Sequence, residues 1–222
     1  MKKRVLFLVV FIVSFLFFII IFSYMTDYIK TGYTITGKAS STATISFFVL
    51  GDMQQRNMVQ GWNFVSFNVK STNYSVESVL SSIDGYYDYV LEWDSDRQEF
   101  KTWSRFGSKD FTELNENKSY FIFMNDNNKQ ILLNGERFGN LTLILKDGWE
   151  TPNYIYEYDS ENITGNYFKN VTFDYIQKWN ETNQEFMVYS KLAEQQPFNK
   201  IYVGEGYFIL TRGGNLVYIR TQ

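Results

Sequence analysis

The stretch DYVLEW at residues 88–93 recurs as DYIQKW at residues 174–179, 86 positions further along the chain. The match continues from QEF at 98–100 to QEF at 184–186 with the same offset. Two flanking pairs agree at an offset of 87: Gly61-Trp62 with Gly148-Trp149, and Tyr120-Phe121-Ile122 with Tyr207-Phe208-Ile209. Matches in one order at nearly one offset predict two tandem copies of a single module.

The residues of each copy favour short antiparallel strands. Residues 87–93 and 99–103 are rich in aromatic and β-branched side chains and flank the turn former DSDR, which predicts a hairpin. Further strands are predicted at 45–50, 64–69, 120–124, 130–133 and 141–145, with a turn at Asn134-Gly135. The fold class is therefore mainly β, with antiparallel hairpins in two duplicated modules.

One short helix is predicted in the first copy. Ser75 can cap it, and apolar residues at 76, 79, 80 and 83 follow the spacing of one helix face. Asp84-Gly85 ends it. The counterpart at 161–170 contains Gly165 and has a weaker helical pattern, so the second copy is expected to have lost this helix.

The N-terminus has the features of a membrane anchor. Lys2, Lys3 and Arg4 precede an apolar run from Val5 to Met25. At about 1.5 Å per residue this run matches a hydrocarbon core of about 30 Å. The basic cluster predicts a cytoplasmic N-terminus and an extracytoplasmic remainder. The bilayer is then a partner through residues 5–25.

Two alternatives to a permanent anchor remain open. A cleaved signal peptide has a shorter apolar region, and the first small-residue site here, around Ala39, lies well beyond the run. A pilin-like subunit also joins an apolar helix to a β head, but Arg4 here runs directly into Val5, where pilin processing usually needs Gly or Ala.

These features divide the chain into four parts. Residues 1–28 form the basic tip and transmembrane helix, and residues 29–44, rich in Gly, Ser and Thr, form a stalk. Residues 45–140 are the first copy, and residues 141–222 are the second. Because a module of about 80 residues is marginally stable alone, we expect the copies to pack together.

Composition excludes several chemistries. The chain has no Cys and no His, which rules out thiol nucleophiles, disulfides, Ser-His-Asp triads and zinc sites with those ligands. The net charge of −3 disfavours nucleic acid as a partner. We expect no catalytic residue, no cofactor and no metal. Asp94, Asp96 and Glu99 could suggest calcium, but the second copy has Asn180, Thr182 and Glu185 there.

The order of motifs resembles a repeat of exported archaeal and bacterial surface proteins. The resemblance rests on GWN at 61–63, SVESVLSSIDG at 75–85, the Trp-containing strands, and GEGYFI at 204–209, where that repeat often has GKGYWI. It covers residues 61–133 well and 148–218 partly. It implies an extracellular, mostly β module without known chemistry.

Aromatic residues are the main candidates for ligand contact. Trp62 with Trp149 and Trp93 with Trp179 are matched between the copies, which favours a core role. Trp103, matched by Tyr189, is the remaining candidate for stacking on a ligand such as a sugar ring. Six Asn-x-Ser/Thr sequons are possible glycosylation sites: Asn73, Asn117, Asn140, Asn162, Asn170 and Asn180.

The sequence thus predicts a membrane-anchored, non-catalytic structural or interaction protein of the cell surface, with envelope proteins or glycans as possible partners. A surface carbohydrate-binding module is the alternative, and a pilin-like subunit is a further one.

Overall fold

The computed structural model describes residues 52–138, 142–153, 168, 171–212 and 216–219. The predicted membrane span, stalk and first strand at 45–50 lie outside these residues. Among the residues described, no helix has the length and hydrophobicity needed to cross a bilayer. The expectation of a mainly β, antiparallel fold is confirmed.

Between residues 52 and 138 the first half has seven strands in two sheets. They are β1 (Asp52–Met58), β2 (Gly61–Val65), β3 (Val69–Lys70), β4 (Tyr87–Asp94), β5 (Glu99–Ser104), β6 (Tyr120–Met124) and β7 (Lys129–Arg137). The larger sheet has the order β5-β4-β6-β2, and a smaller one has the order β1-β7-β3.

Six strands lie in the described part of the second half. They are β8 (Thr142–Leu145), β9 (Gly148–Glu150), β10 (Phe173–Asn180), β11 (Glu185–Ser190), β12 (Tyr207–Thr211) and β13 (Leu216–Ile219). The larger sheet has the order β11-β10-β12-β9, and β8 pairs with β13.

The two larger sheets agree in strand order and in register. Val90 pairs with Ile122 in the first sheet, and Ile176 pairs with Ile209 in the second. The same irregularity interrupts both ladders, between Tyr87 and Tyr89 and between residues 173 and 175. Side chains at the matched positions therefore face the same side of each sheet.

The predicted helix is present as two short pieces. Helix α1 (Val76–Val79) begins at Ser75, whose side chain accepts a hydrogen bond from the Ser78 backbone N–H, and a 3₁₀ turn follows at Ser81–Ile83. The predicted apolar face is buried, and with Tyr87, Trp103, Tyr120 and others it forms the first core. Burial raises the pKa of Tyr87 to about 12. The counterpart at 161–170 lies largely outside the described residues.

Two sequence predictions were wrong in detail. The strand expected at 64–69 is split, because only residues 61–65 and 69–70 are paired. Asn134-Gly135 is no turn, since both residues lie inside β7 and pair with Met53 and Asp52 of β1. A Cβ at Gly135 would lie 2.2 Å from the Lys70 carbonyl oxygen, so this glycine permits the close approach of β3.

Candidate functional site at the junction of the two halves

An aromatic cluster joins the two halves. Phe64 and Phe121 from the first half and Phe208 from the second are buried together. Five partly buried side chains surround them: Trp62, Leu91, Trp93, Trp149 and Trp179. The four tryptophans matched in the sequence therefore meet at one shared cluster, half-buried rather than fully enclosed.

The rings of this cluster meet mostly edge to face. Trp93 and Trp179 contact Phe100 and Phe186 at centroid distances of 4.9 and 4.8 Å, with interplanar angles of 73° and 76°. Phe64 and Phe121 are stacked at 4.2 Å, and Phe208 is tilted against both of them. Edge-to-face contact suits packing of quadrupolar rings. A sugar platform would need coplanar exposed faces, and these rings do not form such a row.

Each half donates an indole N–H to the other. Trp93 Nε1 donates to the Trp149 carbonyl oxygen at 2.8 Å, and Trp179 Nε1 donates to the Trp62 carbonyl oxygen at 2.9 Å. These four residues are the two pairs matched in the sequence. The contact is therefore reciprocal, as in a two-fold symmetric dimer, although both halves belong to one chain.

Two glutamine side chains act as clamps, each hydrogen-bonding to the backbone N–H and carbonyl of a tryptophan in the other half. Gln98 Oε1 accepts from the Trp149 N–H at 2.9 Å, and its Nε2 donates to the Trp149 carbonyl at 3.1 Å. Gln184 bonds Trp62 in the same way, at 2.7 and 3.0 Å. Both glutamines have positive φ, of 55° and 57°. The sequence analysis aligned them within the QEF match but gave them no role; the available signal was that both halves have Gln at this position.

Backbone hydrogen bonds complete the junction. Ser66 N–H donates to the Gly204 carbonyl at 3.1 Å, and Gly206 N–H donates to the Phe64 carbonyl at 2.9 Å. The equivalent bonds on the other side, both 2.9 Å long, run from Ser119 N–H to Thr151 and from Asn153 N–H to Asn117. The two halves therefore exchange short stretches of β pairing in both directions.

The junction is not symmetric at Phe64, because the equivalent residue of the second half is Thr151. A Cβ at Gly206 would lie 2.6 Å from the Phe64 ring, so the large ring packs directly against a residue without a side chain. Thr151 faces Ser119 instead. A pocket of about 290 Å³ opens on that side, lined by Asn115, Asn117, Lys118, Ile144, Leu145, Glu150, Thr151 and Pro152.

A charged network also distinguishes the two sides. Arg56 of the first half pairs with Glu181 of the second and lies 4.0 Å from Glu205. Lys178 pairs with Glu205 at 2.7 Å. Burial raises the pKa of the Glu181 carboxyl, although the Arg56 guanidinium acts in the opposite direction. In the first half the matching pair has reversed polarity, with Lys118 donating to Glu92 at 2.8 Å.

The two residues proposed for ligand stacking have other roles. Trp103 is only 2% exposed, stacks on Tyr87 at 5.4 Å and lies under the Lys109 ammonium. A buried ring offers no face to a ligand, so the stacking assignment of Trp103 is corrected to core packing. Tyr189 is half-buried and contacts Phe173 and Phe198 at ring distances of 6.3 and 6.1 Å.

Three of the six sequons fall within the described residues. Asn73 is exposed, and its Oδ1 accepts from the Ser75 N–H at 2.9 Å. Asn180 is half-buried, and its Oδ1 accepts from the Thr182 and Asn183 N–H groups. Asn117 has a buried Oδ1, and its sequon serine, Ser119, is 1% exposed. Asn140, Asn162 and Asn170 lie outside the described residues.

The acidic turn at Asp94 is engaged internally. Asp94 accepts from the backbone N–H groups of Asp96 and Arg97 and pairs with Lys101 at 2.9 Å. The Lys101 hydrogen bond is the largest cause that lowers the pKa of Asp94 to about 2. In the part of the chain that the structure describes, no group of three or more acidic residues is arranged to hold a metal ion.

Comparison with known proteins gives no relative. No family model, no curated protein and no solved structure matches this chain.

Proposed function

We propose that this chain is a membrane-anchored, non-catalytic structural or interaction protein of the cell surface. Its extracytoplasmic part consists of two tandem copies of one β module, folded against each other. The reciprocal clamp carries the proposal, because Trp93 with Gln98 and Trp179 with Gln184 make the same contacts in opposite directions. Unrelated segments would have no physical reason to share both register and partners.

The clamp also explains why aromatic residues are so abundant. Indole groups, both glutamine amides and the central phenylalanines are used to hold one half against the other. Together with the absence of Cys and His, this supports a scaffold rather than a catalyst. The basic residues at 2–4 and the apolar run at 5–25 support the membrane location.

Topology is the first test. The full chain with a C-terminal tag would be expressed in cells, and protease would be added before and after lysis. We expect the tag to be removed from intact cells. As a matched control, replacing Lys2, Lys3 and Arg4 by Glu should reduce removal, because the orientation depends on the basic cluster. A tag protected until lysis would refute the proposed location.

The proposal includes glycosylation and predicts which of the described sequons carry a glycan. Asn73 is exposed and Asn180 is half-buried at the end of β10, whereas the Asn117 sequon has its hydroxyl buried and donated to the Pro152 carbonyl at 2.9 Å. Among these three we expect glycans at Asn73 and Asn180 and none at Asn117. Mass spectrometry of protein from its native membrane tests this prediction. Finding both Asn73 and Asn180 unmodified would refute it.

A further inference from the structure

The outer edge of β11 is an unpaired strand edge within the described residues. In the sheet order β11-β10-β12-β9, β11 has a neighbour on one side only. Ser190 directs its N–H and carbonyl outward, where both meet the side-chain amide of Gln196. Since alternate residues of an edge strand face outward together, Val188 and Phe186 direct their backbone groups the same way. No hydrogen-bond partner stands on the outer side of Val188 among the described residues.

The matched edge in the first half is covered by the chain itself. Thr102 on β5 corresponds to Val188, and its N–H donates to the Asp110 carboxylate at 2.9 Å while its carbonyl accepts from the Asp110 N–H. Ser104 N–H donates to the Ser108 carbonyl. Residues 108–110 thus act as a short extra strand on β5. The comparison shows that this edge geometry accepts a strand.

The sequence of β11 also lacks the usual protection of an edge. Charged residues on an edge strand disfavour pairing with another chain. Where β5 has Lys101, β11 has Met187, so no charge lies between Glu185 and Lys191. Phe186 and Val188 are both 41% exposed on one face of the strand. An apolar edge of strong β-formers is suited to pairing with another strand.

We propose that β11 is a self-association edge, at which two chains pair their β11 strands antiparallel about Val188. The two four-stranded sheets would then form one continuous sheet of eight. This register places Glu185 opposite Lys191 of the second chain and Phe186 opposite its Ser190. Opposite charges at facing positions stabilise a strand pair, and so does the apolar pair of Val188 with its copy in the second chain. The central pair at Val188 forms without displacing Gln196, whereas the two flanking Phe186–Ser190 pairs require Gln196 to release the Ser190 backbone.

A cysteine cross-link tests the register. The chain has no Cys, so Val188→Cys in the full-length protein introduces one thiol. Directly opposed residues of a hydrogen-bonded pair have Cα atoms about 5.5 Å apart, which a disulfide can span. Under mild oxidation we expect a covalent dimer. Thr102→Cys is the matched control, because residues 108–110 occupy that edge, and it should remain monomeric. Equal dimer from both variants, or none from Val188→Cys, would overturn the proposal.

A charged substitution at Val188 tests the self-association independently. In the full-length wild-type protein in detergent we expect concentration-dependent dimers by analytical ultracentrifugation. Val188→Lys sets two ammonium groups opposite each other and should weaken association by about tenfold or more. Thr102→Lys should leave association unchanged, and circular dichroism should show both variants folded. A monomeric wild type at all concentrations, or equal effects of the two lysines, would contradict the self-association edge.

Discussion

The side-chain amide of Gln184 hydrogen-bonds to both backbone groups of Trp62, accepting from the N–H at 2.7 Å and donating to the carbonyl at 3.0 Å. An amide placed this way pairs with the peptide group as a neighbouring strand would. Because Gln98 does the same to Trp149, the two halves are held by two equivalent clamps.

Removing either glutamine amide should destabilise the junction to a similar extent. Gln184→Ala and Gln98→Ala each delete three hydrogen bonds, two to the tryptophan of the other half and one within the glutamine's own turn. At about 1 kcal/mol net per bond we expect a loss of about 1–3 kcal/mol from each. Urea denaturation measures this. Asn183→Ala, in the same turn, is the control and should cost less. A loss confined to one glutamine would show that the clamps are not equivalent.

The glycines beneath the clamps should tolerate no side chain. Gly61 and Gly148 have φ of 93° and 105°, and a Cβ would lie 2.6 and 2.9 Å from the Gln184 and Gln98 side chains. Gly61→Ala and Gly148→Ala should each cost at least about 2 kcal/mol, from backbone strain and a displaced clamp. Gly85→Ala is the control, because its φ is 84° but no atom lies within 4 Å. Equal losses at all three sites in thermal unfolding would show that the clamp contributes nothing.

Substitutions at Phe64 and Gly206 should have coupled effects on the free energy of unfolding. Gly206→Ala places a methyl group 2.6 Å from the Phe64 ring and should cost about 1–3 kcal/mol through overpacking. In a Phe64→Leu background the same change should cost less, because the smaller side chain leaves space. A double-mutant cycle measured by denaturation reports the coupling. Additive losses would mean that the two residues do not constrain each other.

The indole donors should stabilise the whole unit rather than one half. Trp93→Phe and Trp179→Phe remove one N–H donor each and should cost about 1–2 kcal/mol, whereas the alanine variants should cost about 3–5 kcal/mol. Because the aromatic cluster belongs to both halves, unfolding should remain one transition. Tryptophan fluorescence and circular dichroism should give coincident midpoints. Two separated transitions in the wild type would refute a shared core.

Asp94 should give the protein an acid-sensitive contribution to stability. The Lys101 hydrogen bond and two backbone N–H groups lower its folded-state pKa to about 2, below the ordinary value of 3.8. The folded carboxylate binds its proton more weakly than the unfolded one, so this stabilisation is present above pH 4 and is lost as the pH falls towards 2. Asp94→Asn should flatten that part of the stability profile while keeping the turn, which Asn180 forms in the second half. An unchanged slope between pH 4 and 2 would contradict this role of Asp94.

Much of the local structure could be predicted because its causes are local. The hairpin strands at 87–94 and 99–104, the Ser75 cap and the buried face of the short helix follow from alternation, turn formers and helical spacing. The offset of 86 or 87 was visible because matched residues occupy matched positions in the two larger sheets. Absent residue types could also be read directly, so thiol and histidine chemistry were excluded before any fold was considered.

Other features were decided only by tertiary contacts. Asn134-Gly135 has the sequence of a turn, yet both residues pair with β1 inside β7, since strand pairing outweighs a local preference. Trp103 and Tyr189 could not be separated from surface residues by spacing, because strand alternation does not reveal which face another element covers. The Gln clamps join residues 51 and 122 positions apart, and the packing of Phe64 on Gly206 spans 142. No local pattern encodes such pairs: the sequence determined the strands and the short helix, and the packing of one half against the other determined which of their side chains meet.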